Sequence, residues 1–126
     1  MQQATFNLLS SRIAAMTDSV RQAQAVTLLQ DWDVTSKALL GTNAVDIAGA
    51  ATDYLHYSAY SLLGVLWLDM ASAAQHSSNE LIAKGKSNTC NFYIKRLLPR
   101  KDIHRSVVLA AADDLMAVED QQFDYV

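Results

Sequence analysis

From Phe6 the apolar or small positions fall at Phe6, Leu9, Ile13, Met16, Val20 and Ala23, alternately three and four residues apart. That spacing is one stripe of an amphipathic helix and predicts a first helix over about 4–29. Asp31-Trp32-Asp33 interrupts the stripe, and either Asp can accept from the free N–H groups that open a helix, so a second helix is expected from about Val34. Gly41-Thr42-Asn43 is its weakest stretch, where the helix kinks or restarts. From Ala44 to about Gln75 two apolar stripes run together, one through Ala51, Leu55, Leu62 and Val65, the other through Leu63, Leu66, Trp67, Met70 and Ala74. A helix apolar on more than one face is surrounded by others. At about 1.5 Å per residue it would be roughly 50 Å long, which suits an elongated bundle. Small residues at Ala48, Gly49, Ala50, Ala51 and Gly64 let neighbouring helices approach closely.

Ser77 followed by Glu80 has the spacing of a capping box and places a helix start near residue 78. Helical periodicity continues to Leu98, with Gly85 as a weak point. Pro99 lacks an N–H and crowds the carbonyl four residues back, so the helix bends or breaks there. The apolar period resumes at Ile103, Val107, Ala110, Ala111, Leu115 and Val118. The expected fold class is therefore all-α: an up-down helical bundle of three long helices, the last kinked at Pro99, or four helices if it is counted as two there. The tail from Glu119 to Val126 has only Phe123 and Tyr125 to bury, and its end is expected to be loose.

The chain has 126 residues, of which 51 % are hydrophobic and 18 % charged, enough for one real core across a single domain, 1–126, and too apolar for disorder. Nineteen Ala, sixteen Leu, four Gly and one Pro leave little material for the turns of an all-β fold. The longest apolar run, Leu62 to Leu68, is far short of the ~20 residues that cross a bilayer, so no membrane span is expected. The opening MQQATFNLLSSR lacks the form of a signal peptide, which makes the cytoplasm the default location. Cys90 is the single cysteine, so no intrachain disulfide or zinc cluster is available, and a buried thiol is expected.

Charge is segregated. Residues 1–83 carry three basic and seven acidic side chains, residues 84–105 seven and one, and residues 106–126 none and five. The basic block, Lys84, Lys86, Lys95, Arg96, Arg100, Lys101 and Arg105, has no nucleic-acid recognition motif around it and reads as a solvated face or a contact for an acidic protein surface. Catalytic signals are weak throughout. Two Glu, Glu80 and Glu119, and no Glu-x-x-His pair exclude a di-iron bundle. His56, between Leu55 and Tyr57, reads as a hydrogen-bonded group in or beside the core, His76 lies at a helix end, and His104 reads as a surface residue. Asp113 and Asp114 point about 100° apart on a helix and cannot act on one bond. No nucleotide-cradling or nucleophile-elbow motif is present. Tyr54, Tyr57, Tyr60 and Trp67 read as core and interface, and their number predicts an apolar patch left exposed or covered in a dimer. No catalytic, cofactor-binding or metal-ligating residue is assigned.

One stretch goes further. Lys86 to Pro99, KSNTCNFYIKRLLP, with Lys86, Thr89, Phe92, Tyr93, Arg96, Leu98 and Pro99 in their places, resembles the last helix of the C-terminal domain of the longer bacterial acyl-CoA dehydrogenases, the acetyl-CoA dehydrogenase-like C-terminal domain. Tyr54-Leu55 with Gly64, Trp67, Ala71, Ala73 and Ala74 is similar to its preceding helix, and the closing LMAVEDQQF to its terminal segment. These matches span about residues 44–123. His56 stands where an Arg is usual and Cys90 where an Ala is usual, departures that affect local polar contacts. The resemblance implies a non-catalytic helical module, a fragment from the C-terminus of a larger flavoenzyme of fatty acid metabolism. There the FAD and the carboxylate that oxidise the acyl-CoA thioester between its α and β carbons lie in upstream domains. Its implied partners are the catalytic body and a second copy in a homo-oligomer, with no nucleic acid. An independent helical adaptor or protein-interaction bundle is the alternative.

Overall fold

The computed structural model describes residues 2–125, and the expected looseness at Val126 lies outside them. All the regular elements among these residues are helical: α1 (Gln2–Ala14), α2 (Ser19–Leu40), α3 (Ala44–Ala74), α4 (Glu80–Phe92), a π-helical turn (Tyr93–Leu97), a 3-10 turn (Leu98–Arg100), α5 (Lys101–Val108), α6 (Asp113–Met116) and a terminal 3-10 segment (Asp120–Tyr125). Four of the joints are set by local chemistry. The Asp18 carboxylate accepts from the Val20 and Arg21 amides and opens α2, and Asn43 accepts from the Asp46 amide and opens α3. Asn79 accepts from Leu81 and Ile82 and opens α4, while Ser77 only accepts from the Asn79 amide, so the cap lies two residues beyond the expected Ser77. Before Pro99 the helix widens, the Leu98 amide reaching the Tyr93 carbonyl, and this π turn with the 3-10 turn after it carries the chain past the proline.

The first break is not where the apolar stripe suggested. α1 ends at Ala14 and α2 runs unbroken through Asp31-Trp32-Asp33. The stripe hid the true break because Phe6, Leu9, Ile13 and Met16 and then Ala25, Leu28 and Leu29 all reach the same core across it. Asp31 and Asp33 are therefore mid-helix residues, not caps.

Contacts fix the directions of the rods. Phe6 packs edge-on to Trp32 while Gln22 donates to the Ile13 carbonyl, so α1 and α2 are antiparallel. Trp32 donates to Ser58 and Ser36 bonds Tyr54, which makes α2 and α3 antiparallel as well. Tyr93 donates to the Tyr60 carbonyl and His104 bonds Asp53, so the α4–α5 rod returns along α3. The result is an up-down-up-down bundle. Its main core joins Phe6, Leu9, Ile13, Leu28, Trp32, Tyr57, Val65, Leu68 and Cys90, and a smaller cluster of Leu39, Ala50 and Val108 closes the other end.

Two glycines differ in what they permit. An added Cβ at Gly64 would lie 2.5 Å from Leu28 Cδ2 and 3.2 Å from Leu98 Cδ1, because α2 and the α4–α5 rod converge on α3 at that point, whereas one at Gly85 would meet nothing within 4 Å. Gly64→Ala should therefore lower stability by about 1 kcal/mol or more through overpacking. Gly85→Ala should raise it by roughly 0.5–1 kcal/mol through helix propensity. Urea unfolding of the two variants, read by circular dichroism, checks the opposite signs.

Candidate functional site

The densest polar cluster among the described residues lies where α2, α3 and α5 meet. Asp31 and Thr35 are one turn apart on α2, Lys101 and Arg105 one turn apart on α5, and Tyr57 comes in from α3. The Tyr57 hydroxyl donates to Asp31 Oδ2 at 2.6 Å and lies 3.3 Å from Thr35 Oγ1. Lys101 Nζ reaches Asp31 Oδ2 at 3.3 Å, Arg105 Nε reaches Asp31 Oδ1 at 3.3 Å, and Arg105 Nε donates to Thr35 Oγ1 at 3.1 Å. Burial pushes the Asp31 carboxyl up, but the Tyr57 hydroxyl, then Lys101 and Arg105, together outweigh it and hold it below the ordinary carboxylate range. Burial, then the Asp31 carboxylate, drives the Tyr57 phenol well above the usual tyrosine range. Every member is committed to another, so the cluster works as a lock between three helices.

Beside it runs a half-open groove of about 580 Å³ between α2 and the α4–α5 rod, with Leu28, Leu68, Ile94 and Leu98 as its apolar lining and Asp31 and Lys101 at its polar end. The groove does not fit a flavin dinucleotide. Its one cation is already paired with Asp31, and no helix N-terminus opens into it to supply amides to a pyrophosphate. Among the described residues no cluster of His, Cys, Asp and Glu could hold a metal ion, and no helix is long and apolar enough to cross a membrane.

A second polar cluster closes the far end. Asp18 accepts from Arg21 at 2.9 Å and Gln75 at 2.8 Å, and Arg21 also donates to Ser87 at 2.7 Å. The Arg21 amide, against the cost of burial, and then the Arg21 guanidinium hold the Asp18 carboxyl below its usual range. Cys90 is buried as expected, and burial raises its thiol.

The histidines are placed differently from their sequence surroundings. His56 is exposed, not in or beside the core: its ring stacks on His104 at 4.9 Å between centroids. His104 is half-buried instead of a free surface residue, with Nδ1 2.8 Å from Asp53 Oδ1. His76, at the end of α3, lies 2.7 Å from the Thr17 hydroxyl. Asp113 and Asp114 are exposed on α6. Within the basic block Lys101 and Arg105 turn inward onto Asp31, and the other five are exposed. Tyr54, Tyr60 and Trp67 are half-buried and Tyr57 fully buried, so the aromatics are not the exposed patch their number suggested. The Asp31 cluster escaped notice in the sequence, where its trace is only two i,i+4 polar pairs of opposite charge about seventy residues apart.

An all-α bundle held by internal polar locks is the class of a helical accessory domain. The chain belongs to the acetyl-CoA dehydrogenase C-terminal like family, whose model matches residues 4–119, so the likeness extends through α1 and α2 as well as the later helices that first carried it. No curated protein and no solved structure matches the chain.

Tyr57→Phe removes the donor to Asp31 and should cost about 1–2 kcal/mol in urea unfolding, with the m-value unchanged. The pH dependence has two arms. Asp18 and Asp31 titrate lower when folded than when unfolded, so their contribution is full above about pH 4 and is lost as pH falls through the folded-state values. Tyr57 and Tyr93, the latter pushed up to about 12 by burial, act in the opposite sense: stability is full below about pH 10 and is lost as pH rises through the folded-state values. Melting temperature should therefore fall at both extremes, and Asp31→Asn should shallow the acid arm while leaving the alkaline loss in place. Absorbance at 295 nm should show two tyrosines ionising late, together with unfolding.

Proposed function

We propose that the chain is the non-catalytic C-terminal helical module of an FAD-dependent acyl-CoA dehydrogenase, an oxidoreductase of fatty acid metabolism. It would pack on the catalytic body and support its assembly, while the domains before it bind the flavin and oxidise the acyl-CoA between its α and β carbons. The observation that carries the reading is the extent of the family match. Residues 4–119 take in every long helix, so the whole bundle is the accessory domain. The internal use of its polar groups supports the same reading: Asp31, Lys101, Arg105 and Tyr57 are spent on one another. A cytoplasmic, homo-oligomeric parent enzyme follows from this reading.

Co-purification tests it. The gene region upstream of Met1 should encode a flavin-binding dehydrogenase body, and that body expressed without residues 1–126 should capture this chain added in trans. The captured complex should be yellow and more heat-resistant than the body alone. The purified chain should be colourless and show no turnover of acyl-CoA with an artificial electron acceptor. Failure of the body to bind the chain, with no change in its stability, would favour the independent helical adaptor.

A further inference from the structure

The outer face of α3 touches none of the clusters described above. The helix contains no Lys, Arg or Glu. Its three Asp are all drawn off to other elements: Asp46 accepts from the Ala112 amide at 2.8 Å, Asp53 bonds His104 at 2.8 Å, and Asp69 pairs with Arg12 at 2.7 Å. Opposite the buried line of Ala50, Tyr57, Ser61 and Leu68 lie positions 45, 48, 52, 55, 59, 63, 66, 70 and 73, every one of them exposed. At about 100° per residue these nine fall within ~40° of one line along the helix. They read Val, Ala, Thr, Leu, Ala, Leu, Leu, Met, Ala, with no charge.

The spacing is the decisive feature. The steps from residue 45 to residue 73 are 3, 4, 3, 4, 4, 3, 4 and 3, the same sequence read from either end. A contact about a twofold axis uses the same patch on both copies, so an antiparallel helix pair needs a stripe of this symmetry. With the axis at Ala59, Leu55 of one copy meets Leu63 of the other, Thr52 meets Leu66, and Ala48 meets Met70. A larger side chain faces a smaller one at the outer steps, and Ala59 faces itself where the backbones come closest.

We propose that α3 pairs antiparallel with α3 of a second copy of this chain, about a twofold axis at Ala59. The inference stands on α3 alone and does not rest on the dehydrogenase reading. The stripe is about 42 Å long and one helix wide, roughly 500 Å² per copy with its borders. That is the size of the largest functional patches on monomers. Two copies would bury on the order of 1,000 Å², the lower bound of a specific interface, so the chain by itself is a weak dimer of micromolar or lower affinity.

Sedimentation equilibrium of the 126-residue chain between about 10 µM and 1 mM should show monomer passing to dimer, the range that a weak interface requires. Ala59→Glu, which sets two carboxylates against each other on the axis, should weaken the association roughly tenfold or more. Because Ala59 is exposed, its melting at low concentration should stay unchanged. Cysteine crosslinking tests the register, the native Cys90 being buried. Ala59→Cys should form a disulfide dimer on oxidation. Thr52→Cys should not do so alone but should crosslink when mixed with Leu66→Cys. A chain monomeric throughout this range overturns the proposal and leaves the stripe to a different partner. So does a dimer indifferent to Ala59→Glu, or Thr52→Cys crosslinking with itself as readily as Ala59→Cys.

Discussion

The Asp31 carboxylate sits where three helices meet, and the register of the bundle depends on what it accepts. α1 with α2, and α2 with α3, are hairpin neighbours whose short joints leave little freedom to slide. α2 and α5 are different: they run parallel, far apart in sequence, and no turn sets their stagger. Asp31 and Thr35 on one, Lys101 and Arg105 on the other, are matched pairs one helical turn apart. A slip of one turn would strand at least one charge, and an unpartnered buried charge costs several kcal/mol. Such a cluster need not add much net stability over an apolar packing, yet it penalises every other alignment.

The π and 3-10 turns around Pro99 serve the same end. A proline in a regular helix would throw the following segment off the line of the preceding one. Here the wide turn from Tyr93 to Leu97 absorbs the missing hydrogen bond, so Tyr93 before the proline and His104 after it both reach α3. Lys101 lies two residues beyond Pro99, so the backbone path past the proline also aims its ammonium at Asp31.

What the sequence made legible is what local chemistry decides. The all-α class, the restart at Gly41–Asn43 and the disturbance at Pro99 each depend on residues within a turn of one another. The break between α1 and α2 was just as local, since Thr17-Asp18-Ser19 is a capping signal, but the apolar stripe stays in phase across it and drew attention to Asp31 instead. The Asp31 cluster could not be read at all, because its partners come from elements about seventy residues apart. His56 shows the converse error. Apolar neighbours in sequence suggested a core, yet Leu55, Ala59 and Leu63 belong to the exposed side of α3, and His56 went outward with them. A helix apolar on two faces was taken to be surrounded; it is covered on one.

That uncovered face follows from how the charges are spent. Each Asp of α3 is tied to α1, α5 or the segment before α6, which removes the side chains that would have made the outer face polar and at the same time pins the helix to its neighbours. Tyr57 and Tyr93 add further ties, one through Asp31 and one through the Tyr60 carbonyl. A surface presented by a helix held in this way is already ordered before anything binds it. Binding to a preorganised face loses less conformational freedom than binding to a mobile one, so even a narrow apolar strip can give specific association. The polar locks inside the bundle and the charge-free stripe outside it are thus two consequences of one distribution of carboxylates along α3.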